Sequence, residues 1–464
     1  MARTPIDTSV PIDQNGQRRQ VEVAQPRSGG VAPRQQERLS PDALGNLGTM
    51  TNAELMVEAR QIGLVEIPER RTELALQVLL ARSQEAGVSI GAGILDIHDK
   101  GYGFLRPPGS GGGEDDIYVP NGLIRKSGLR QGDFVAGPVR PQGERTRGRG
   151  NNPLLWPELV NGRDVEFARR RPRFEQLTVI YPDKQLTLET TRTKMNTRVI
   201  DIIAPIGKGQ RALIVAPPKA GKTVILKDIA HAVAENYPAV HIVVALIGER
   251  PEEVTDMRRT VKGEVYSSTF DEQVEHQCET SDRALDRAKR LVESGEDVVL
   301  VLDSLTRLAR AFNVKLPSSG KTLSGGMDPL ALYPPKQFFG AARNCEEGGS
   351  LTIVATALID TGSRLDDLIY EEFKGTGNME LHLDRTMAER RIFPAVAMDK
   401  SGTRHEELLQ PPETLRQVWL LRRMLALLQA QNANGNPTEA TERILERLTR
   451  SKDNASFLSS ITEK

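Results

Sequence analysis

The stretch Ala212-Leu-Ile-Val-Ala-Pro-Pro-Lys-Ala-Gly-Lys-Thr223 decides how the rest of the chain is read. An apolar run, Ala212 to Ala216, enters a turn made of Pro217, Pro218, Lys219, Ala220 and Gly221, and a helical pattern leaves it from Thr223 to Asn236. A strand, a tight turn and a helix start in that order make an anion site. The first N–H groups of a helix have no partner within it, and the aligned peptide dipoles put partial positive charge there. Residues 216–223 match the Walker phosphate-loop pattern except that Ala216 stands in place of its first glycine. In that pattern Lys222 reaches the β and γ oxygens, the Thr223 hydroxyl ligates magnesium, and Lys219, Ala220, Gly221 and Val224 border the phosphates. The competing reading is a lysine at an ordinary strand-to-helix turn, and the correct context on both sides favours the nucleotide.

Outward from this loop, apolar runs alternate with helical patterns. His241 to Ile247 is followed by a helix near Val254, a long helix spans about Asp282 to Glu293, and Val298 to Leu302 and Leu351 to Leu358 are further strands. Such alternation predicts a mostly parallel sheet covered by helices. Two acids end strands of that sheet. Asp303 closes the run Val298 to Leu302, where a carboxylate suits magnesium and its water shell, although an Asp there also caps helices. Glu249 ends the strand His241 to Gly248 and is placed to orient or deprotonate water, whereas Glu252, Glu253 and Asp256 suit a solvated helix start.

Upstream the character changes. Residues 1–48 are rich in Pro, Gln, Gly and Arg and predict a disordered tail. Thr51 with Glu54 forms a capping box for a first helix, and a second runs from about Glu69 to Ala86, giving a helical module over 49–87. Short apolar stretches broken by glycines and prolines over 88–168 predict a small β-barrel. Within it, Lys100-Gly101-Tyr102-Gly103-Phe104-Leu105-Arg106 matches the start of an RNP1 string, with Tyr102 and Phe104 on one strand face. Aromatics so spaced stack single-stranded bases or simply pack a barrel core. Flanking glycines, which leave the rings accessible, and Arg106 favour the former.

Composition sets outer bounds. With 464 residues the chain exceeds the roughly 250 to 300 at which single cores stop growing, so several domains are expected. Lys plus Arg total 62 and Asp plus Glu 62, so no net charge announces a polyanion partner. The neutrality is uneven, however, since residues 140–173 carry nine arginines against four acids. No apolar run approaches the about 20 residues of a membrane span, and two cysteines, Cys278 and Cys345, are too few for a disulfide framework. A cytoplasmic location without membrane contact is expected.

The strings APPKAGKT (216–223), GERPEEVTD (248–256), VLDSLTRLAR (301–310) and SRLDDLIYEEFKGTG (363–377), in this order, closely resemble the bacterial transcription termination factor Rho family. The resemblance covers about Thr51 to the C-terminus. It implies a multidomain chain: the helical N-terminal module, an OB-fold or cold-shock-like barrel, a linker over 169–195, a RecA-type α/β P-loop ATPase domain over 196–430, and a C-terminal helical segment over 431–464. It implies a homohexamer that hydrolyses ATP with Mg2+, moves 5′-to-3′ on C-rich single-stranded RNA, and releases transcripts from the RNA polymerase elongation complex and its elongation factors.

The same resemblance assigns site residues. Lys222, Glu249, Asp303 and an arginine finger, Arg404 in Ser401-Gly-Thr-Arg404, carry catalysis, with Thr223 and Asp303 at the metal. Lys374 and Arg391 support the finger across the subunit interface, Arg250 contacts nucleotide, and Phe393 packs near the adenine. The turn Gly207, Lys208, Gly209, Gln210, Arg211 and Ala212 lines the nucleotide site. In the primary RNA site Asp116, Ile117 and Tyr118 join Gly101 to Arg106, with Asp116 accepting from the cytosine amino group and Trp156 a further ring. The secondary site has Lys321 on a glycine-rich loop, 317–326, and Arg364 on a second loop. Two other readings remain open at this level: a rotary ATP synthase subunit, against which the RNP1 string argues, and an RNA-binding protein with an inactive nucleotide fold, against which intact Lys222, Glu249, Asp303 and Arg404 argue.

Overall fold

The computed structural model describes residues 44–110, 112–113, 116–140, 152–431 and 437–462. The basic stretch Gly143 to Gly150 and residues 1–43 of the expected tail lie outside the described residues. Residues 44–48 do not belong to a tail. Leu44 and Leu47 are buried, and a 3-10 turn, Leu47–Thr49, leads into α1 (Asn52–Gln61). The capping box forms, with Thr51 N donating to Glu54 Oε2 at 2.7 Å and Glu54 N to Thr51 Oγ1 at 3.3 Å. Helix α2 (Arg71–Ala86) ends at Gly87, and the two helices close over Leu55, Ala59, Leu74 and Leu79 together with Leu44 and Leu47. Two leucines in a Pro-, Gln- and Arg-rich window are too sparse to reveal periodicity, so the folded module begins before the boundary that composition suggests.

The barrel consists of β1 (Ile90–Ile97), β2 (Gly103–Arg106), β3 (Ile117–Val119), α3 (Asn121–Ser127), β4 (Phe134–Pro138) and β5 (Leu159–Val160), with sheet order β3-β2-β1-β4-β5. Leu154 N donates to Tyr118 O at 2.9 Å and draws the far side of the sheet round to β3. Leu95, Leu105, Val119, Val135, Leu154 and Val160 fill the interior. Gly103 is required where β2 crosses β1, because a Cβ there would lie 2.8 Å from the Asp96 carbonyl.

The expected linker is packed structure. It holds the end of α4 (Val165–Arg170), a 3-10 turn at Phe174–Gln176 and β6 (Val179–Ile180); Phe174 and Leu177 lie in one motor core and Leu186 and Leu188 in another. Arg171, fully buried, reaches Asp133 of the barrel at 2.7 Å and Glu293 of the motor at 3.3 Å, so the segment bolts the two together.

The motor runs α5 (Met195–Ile203), β7 (Arg211–Ala216), α6 (Lys222–Asn236), β8 (His241–Glu249), α7 (Pro251–Thr260), β9 (Glu264–Thr269), α8 (Val274–Glu293), β10 (Asp297–Asp303), α9 (Leu305–Lys315), α10 (Tyr333–Gly340), β11 (Arg343–Cys345), β12 (Ser350–Leu358), α11 (Arg364–Lys374), β13 (Met379–His382), α12 (Arg385–Glu389) and β14 (Gly402–Thr403). Its main sheet has the order β14-β13-β7-β12-β10-β8-β9, and β13, β7, β12, β10, β8 and β9 are mutually parallel. Their carboxyl ends therefore share one edge, where α/β folds place their ligands. Helices α13 (Pro412–Gln431), α14 (Pro437–Arg450) and α15 (Asn454–Thr462) complete the chain. The last two are not a separate segment. Leu445, Leu448, Phe457 and Leu458 share a core with Ile200, Ile229 and Val233, and buried Arg198 donates to Leu448 O and Asn454 Oδ1, each at 3.1 Å. Among the described residues no helix is long and apolar enough to cross a membrane.

Candidate functional site

The loop from Pro217 to Gly221 leaves β7 at the carboxyl edge of the sheet and opens a cleft of about 580 Å³. Gly221, with φ 94°, turns the chain into α6, and Lys219 also holds a left-handed φ of 66°. Lys222, Thr223, Val224, Glu249, Arg250 and Glu253 line the cleft with Arg307 and Leu358. Lys222 Nζ donates to Glu249 Oε1 at 2.9 Å and to Asp303 Oδ1 at 2.5 Å. Register explains the meeting: β10 pairs with β8 so that Asp303 lies beside Leu246, near the end that carries Glu249. Both acids are buried. Burial, then the neighbouring Asp303 charge, pushes the Glu249 carboxyl up to about 7. Burial disfavours the Lys222 charge, but the Asp303 and Glu249 carboxylates outweigh it and hold the ammonium above its ordinary range.

Three further residues complete this cluster: Arg307 and Thr356, to which the sequence assigns no role, and Glu253, expected only in a solvated helix start but here lining the cleft. Arg307 Nε stands 3.2 Å from Glu249 Oε1, Thr356 Oγ1 donates to Asp303 Oδ1 at 2.7 Å, and Thr223 Oγ1 donates to Glu253 Oε2 at 3.1 Å. Arg307 and Arg310 both lie on α9, and only the strand order shows that Arg307 is the one that turns toward Glu249. The hydroxyl of Thr223 and the carboxylates of Asp303 and Glu253 are hard oxygen donors of the kind that hold magnesium through its waters, so the residues present fit that ion. Phe393 and Arg391 belong to the excursion that follows β13 at this same edge, since Leu383 N donates to Val215 O at 2.8 Å. Phe393 is exposed, as a base-packing ring requires.

The turn 207–212 stands elsewhere and does not line this chain's cleft. It precedes β7, a six-residue strand, and so lies at the amino edge, about 16 to 20 Å from the phosphate loop. Its polar groups are engaged there: Lys208 Nζ pairs with Asp297 at 2.5 Å, Gly209 N donates to Thr352 Oγ1 at 2.8 Å, and Gln210 and Arg211 bind Asn378. Ala212 is buried in the sheet. Arg404 shares that amino edge, its N–H donating to Asn378 O at 2.8 Å and its side chain exposed beside a cavity of about 340 Å³. Lys374, four residues before Asn378, ends α11 close by, but Arg391 is on the opposite edge and does not join Arg404.

On the barrel, Tyr102, Phe104 and Tyr118 form one open cluster with centroid separations of 5.8, 5.8 and 5.9 Å, and His98 stacks on Tyr102 at 4.9 Å. Phe104 and Tyr118 are direct cross-strand partners. Strand alternation turns Leu105 inward into the core and packs Ile117 against it, so neither joins this face. Asp116 is buried, accepting from Arg106 Nε at 2.8 Å and from Gly113 N at 3.1 Å. Trp156 Nε1 donates to Glu158 Oε2 at 3.2 Å, and among the described residues it makes no ring contact with the cluster.

Two loops of the motor come together beyond α9. A Cβ on Gly325 would lie 2.5 Å from Leu365 N, so the loop bearing Lys321 rests on the start of the helix that Arg364 opens. Lys321 and Arg364 are both exposed. Asp366 beneath them accepts two bonds from Arg310, at 2.8 and 2.6 Å, and one from Thr361 at 2.6 Å. Thus α9 touches Glu249 through Arg307 and the loop pair through Arg310.

Comparison with known proteins agrees with this layout. Residues 196–403 match the nucleotide-binding domain of the ATP synthase alpha/beta family, and residues 91–166 match the Rho termination factor RNA-binding domain. An ATPase from the type III secretion system of pathogenic bacteria has a similar fold, with a TM-score of 0.52 at 22% identity over 70% of this chain and 93% of that one. An RNA-binding domain ahead of a RecA-type ATPase domain is the class of protein that the fold and cleft define. Transcription termination factor Rho of Bacillus subtilis is 50% identical over 395 residues, covering 85% of this chain and 90% of that protein. Rho of Aquifex aeolicus is 48% identical over 415 residues, covering 88% and 93%. The chain belongs to the transcription termination factor Rho family.

Proposed function

We propose that this chain terminates transcription as an RNA-dependent ATPase that translocates 5′-to-3′ on C-rich single-stranded RNA, working as a homohexamer on the RNA polymerase elongation complex. The observation that carries the proposal is the meeting of Lys222, Glu249 and Asp303 at the mouth of the phosphate loop, in a chain whose barrel presents three clustered rings. Lys222 holds the β and γ phosphates, Thr223 and Asp303 hold Mg2+, which supplies charge neutralisation on the phosphates, and Arg250 and Phe393 flank the nucleotide. Glu249, once ionised, orients the attacking water and takes its proton. Arg404, at the opposite edge of its own sheet, serves the cleft of a neighbouring subunit, and Lys374 and the turn 207–211 accompany it there. Lys321 and Arg364 grip the RNA backbone in the ring, and α9 supports coupling because it touches both Glu249 and the base of these loops.

The barrel argues against a rotary ATP synthase subunit, despite the shared nucleotide-binding domain. The test is ATP hydrolysis by the full chain with and without cytosine-rich single-stranded RNA, with Lys222→Ala as control. Strong stimulation is expected, and the same rate with and without RNA would refute the translocase reading.

A further inference from the structure

The corner of the barrel that carries Asp116 is tied to the motor. Arg106 donates through Nε to Asp116 at 2.8 Å, and its Nη1 contacts Asp96. Asp96 also accepts from Gln131 Nε2 at 2.9 Å and faces Arg283 Nη1 at 3.7 Å. Arg283 lies on α8, a motor helix, and its Nη2 donates to the Ser110 carbonyl at 3.0 Å. Ser110 belongs to the connection between β2 and β3 that ends at Asp116. The same connection presses on β9 at Gly109, where a Cβ would lie 1.9 Å from Val265 O.

We infer that Asp96 and Arg283 are positioning residues for base selection, so that cytosine preference is a joint property of the barrel and motor helix α8. The inference rests on the reading of Asp116 and the three rings as the RNA site. Cytosine offers an amino donor where uracil offers a carbonyl oxygen, and an ionised carboxylate only accepts, so Asp116 selects cytosine as long as it keeps a free lone pair. A carboxylate has about four lone-pair sites, and the bonds from Arg106 Nε and Gly113 N leave Asp116 room to accept from a base provided its orientation is held. Arg106 binds Asp116 through Nε while its Nη1 contacts Asp96, so Asp96 fixes the plane of the guanidinium and with it the orientation of the Asp116 carboxylate. Asp96 is itself fixed by Gln131, and its charge is shared with Arg283. The row Arg283, Asp96, Arg106, Asp116 alternates in sign and sums to zero. Without Arg283, Arg106 is the one cation left beside Asp96 among the described residues, and the loop loses its tie at Ser110.

The test measures affinities of the full chain for short cytidine and uridine oligonucleotides by fluorescence anisotropy at one fixed salt concentration. Arg283→Met and Asp96→Asn are expected to lower the cytidine-to-uridine affinity ratio about tenfold, as the loss of one good polar base contact does. Uridine binding should change little. Arg283→Lys, which keeps the charge, should restore part of the ratio. An unchanged ratio in both variants overturns the inference, and so does an equal loss of affinity for both oligonucleotides, which is the signature of a merely structural role. Asp116→Asn separates the two levels. If it too leaves the ratio unchanged, the RNA-site reading itself fails; if it collapses the ratio while Arg283→Met and Asp96→Asn do not, only the present inference fails.

Discussion

Lys222 Nζ sits 2.5 Å from Asp303 Oδ1 and 2.9 Å from Glu249 Oε1, so the ammonium aimed at the phosphate cleft is shared by two buried acids. A nucleotide has to draw this ammonium toward its own oxygens, and the two carboxylates are the groups that feel the exchange.

Lys222→Ala is therefore expected to do more than abolish nucleotide binding. Removing one partner from a buried ion cluster costs about 3 to 5 kcal/mol, because the remaining charges stay desolvated. Glu249 relieves part of that cost by taking a proton, which it does more readily at low pH. Thermal unfolding of variant and parent at about pH 6 and about pH 8 checks this: the variant's deficit should be larger at the higher pH, and equal deficits would show that the cluster is not electrostatic.

For Glu249, burial first and Asp303 second raise the carboxyl from an ordinary 4.5 to about 7. The water-orienting form is the ionised one, so turnover should fall as pH drops through about 7. A raised folded pKa also means that stability from this group is present at low pH and lost as pH rises from about 4.5 through about 7. Glu249→Gln should thus keep nucleotide binding, lose about 10²- to 10⁴-fold in turnover, and unfold no earlier than the parent at about pH 8. A pH-rate profile and a nucleotide titration decide it; loss of nucleotide binding would mean that the residue is structural.

Arg404 is exposed at the amino edge of the sheet, so Arg404→Ala should leave stability within about 0.5 kcal/mol of the parent. A catalytic arginine supplied from a neighbour is worth roughly 10³ to 10⁵ in rate. The decisive measurement mixes Arg404→Ala chains with Lys222→Ala chains, each inactive alone. Mixed rings regain ATP hydrolysis if one chain's arginine serves another chain's cleft, and the absence of any recovery would place the finger elsewhere.

Phe104→Ala should weaken single-stranded RNA binding by about 1 to 3 kcal/mol, the worth of one stacked base, and leave nucleotide affinity alone. Trp156→Ala should change RNA affinity far less, because its ring is outside the cluster. Equal effects of the two substitutions would restore Trp156 to the site.

The parts of this site that were legible in the sequence are those whose chemistry is local. The phosphate loop announces itself because strand, turn and helix follow within a dozen residues, and Glu249 and Asp303 because each ends an uninterrupted apolar run. Arg307 and Thr356 are silent because their roles arise from strand order: Thr356 matters only because β12 lies beside β10. The turn 207–212 adjoins the right strand but at the end away from this chain's own phosphate loop, a distinction that proximity in sequence cannot make. Leu105 and Ile117 were included with neighbours whose side chains point the other way, which the period of a strand does disclose. The 169–195 segment looked like a linker because its buried Phe174, Leu177, Leu186 and Leu188 follow neither a helical nor a strand period.

The parallel sheet, with the phosphate loop at one edge and Arg404 at the other, also restricts how copies of the chain meet. Two subunits related by a two-fold axis make each contact twice, so a pair that set the amino edge of one against the carboxyl edge of the other would fill both clefts and grow no further. The same contact made without a two-fold axis is heterologous: every subunit gives one face and receives the other. Repetition of that contact must either close on itself or continue as a filament, and in both cases all subunits point the same way around the axis. In a ring built that way the polarity of one sheet is repeated in every subunit, and the two faces of the ring differ.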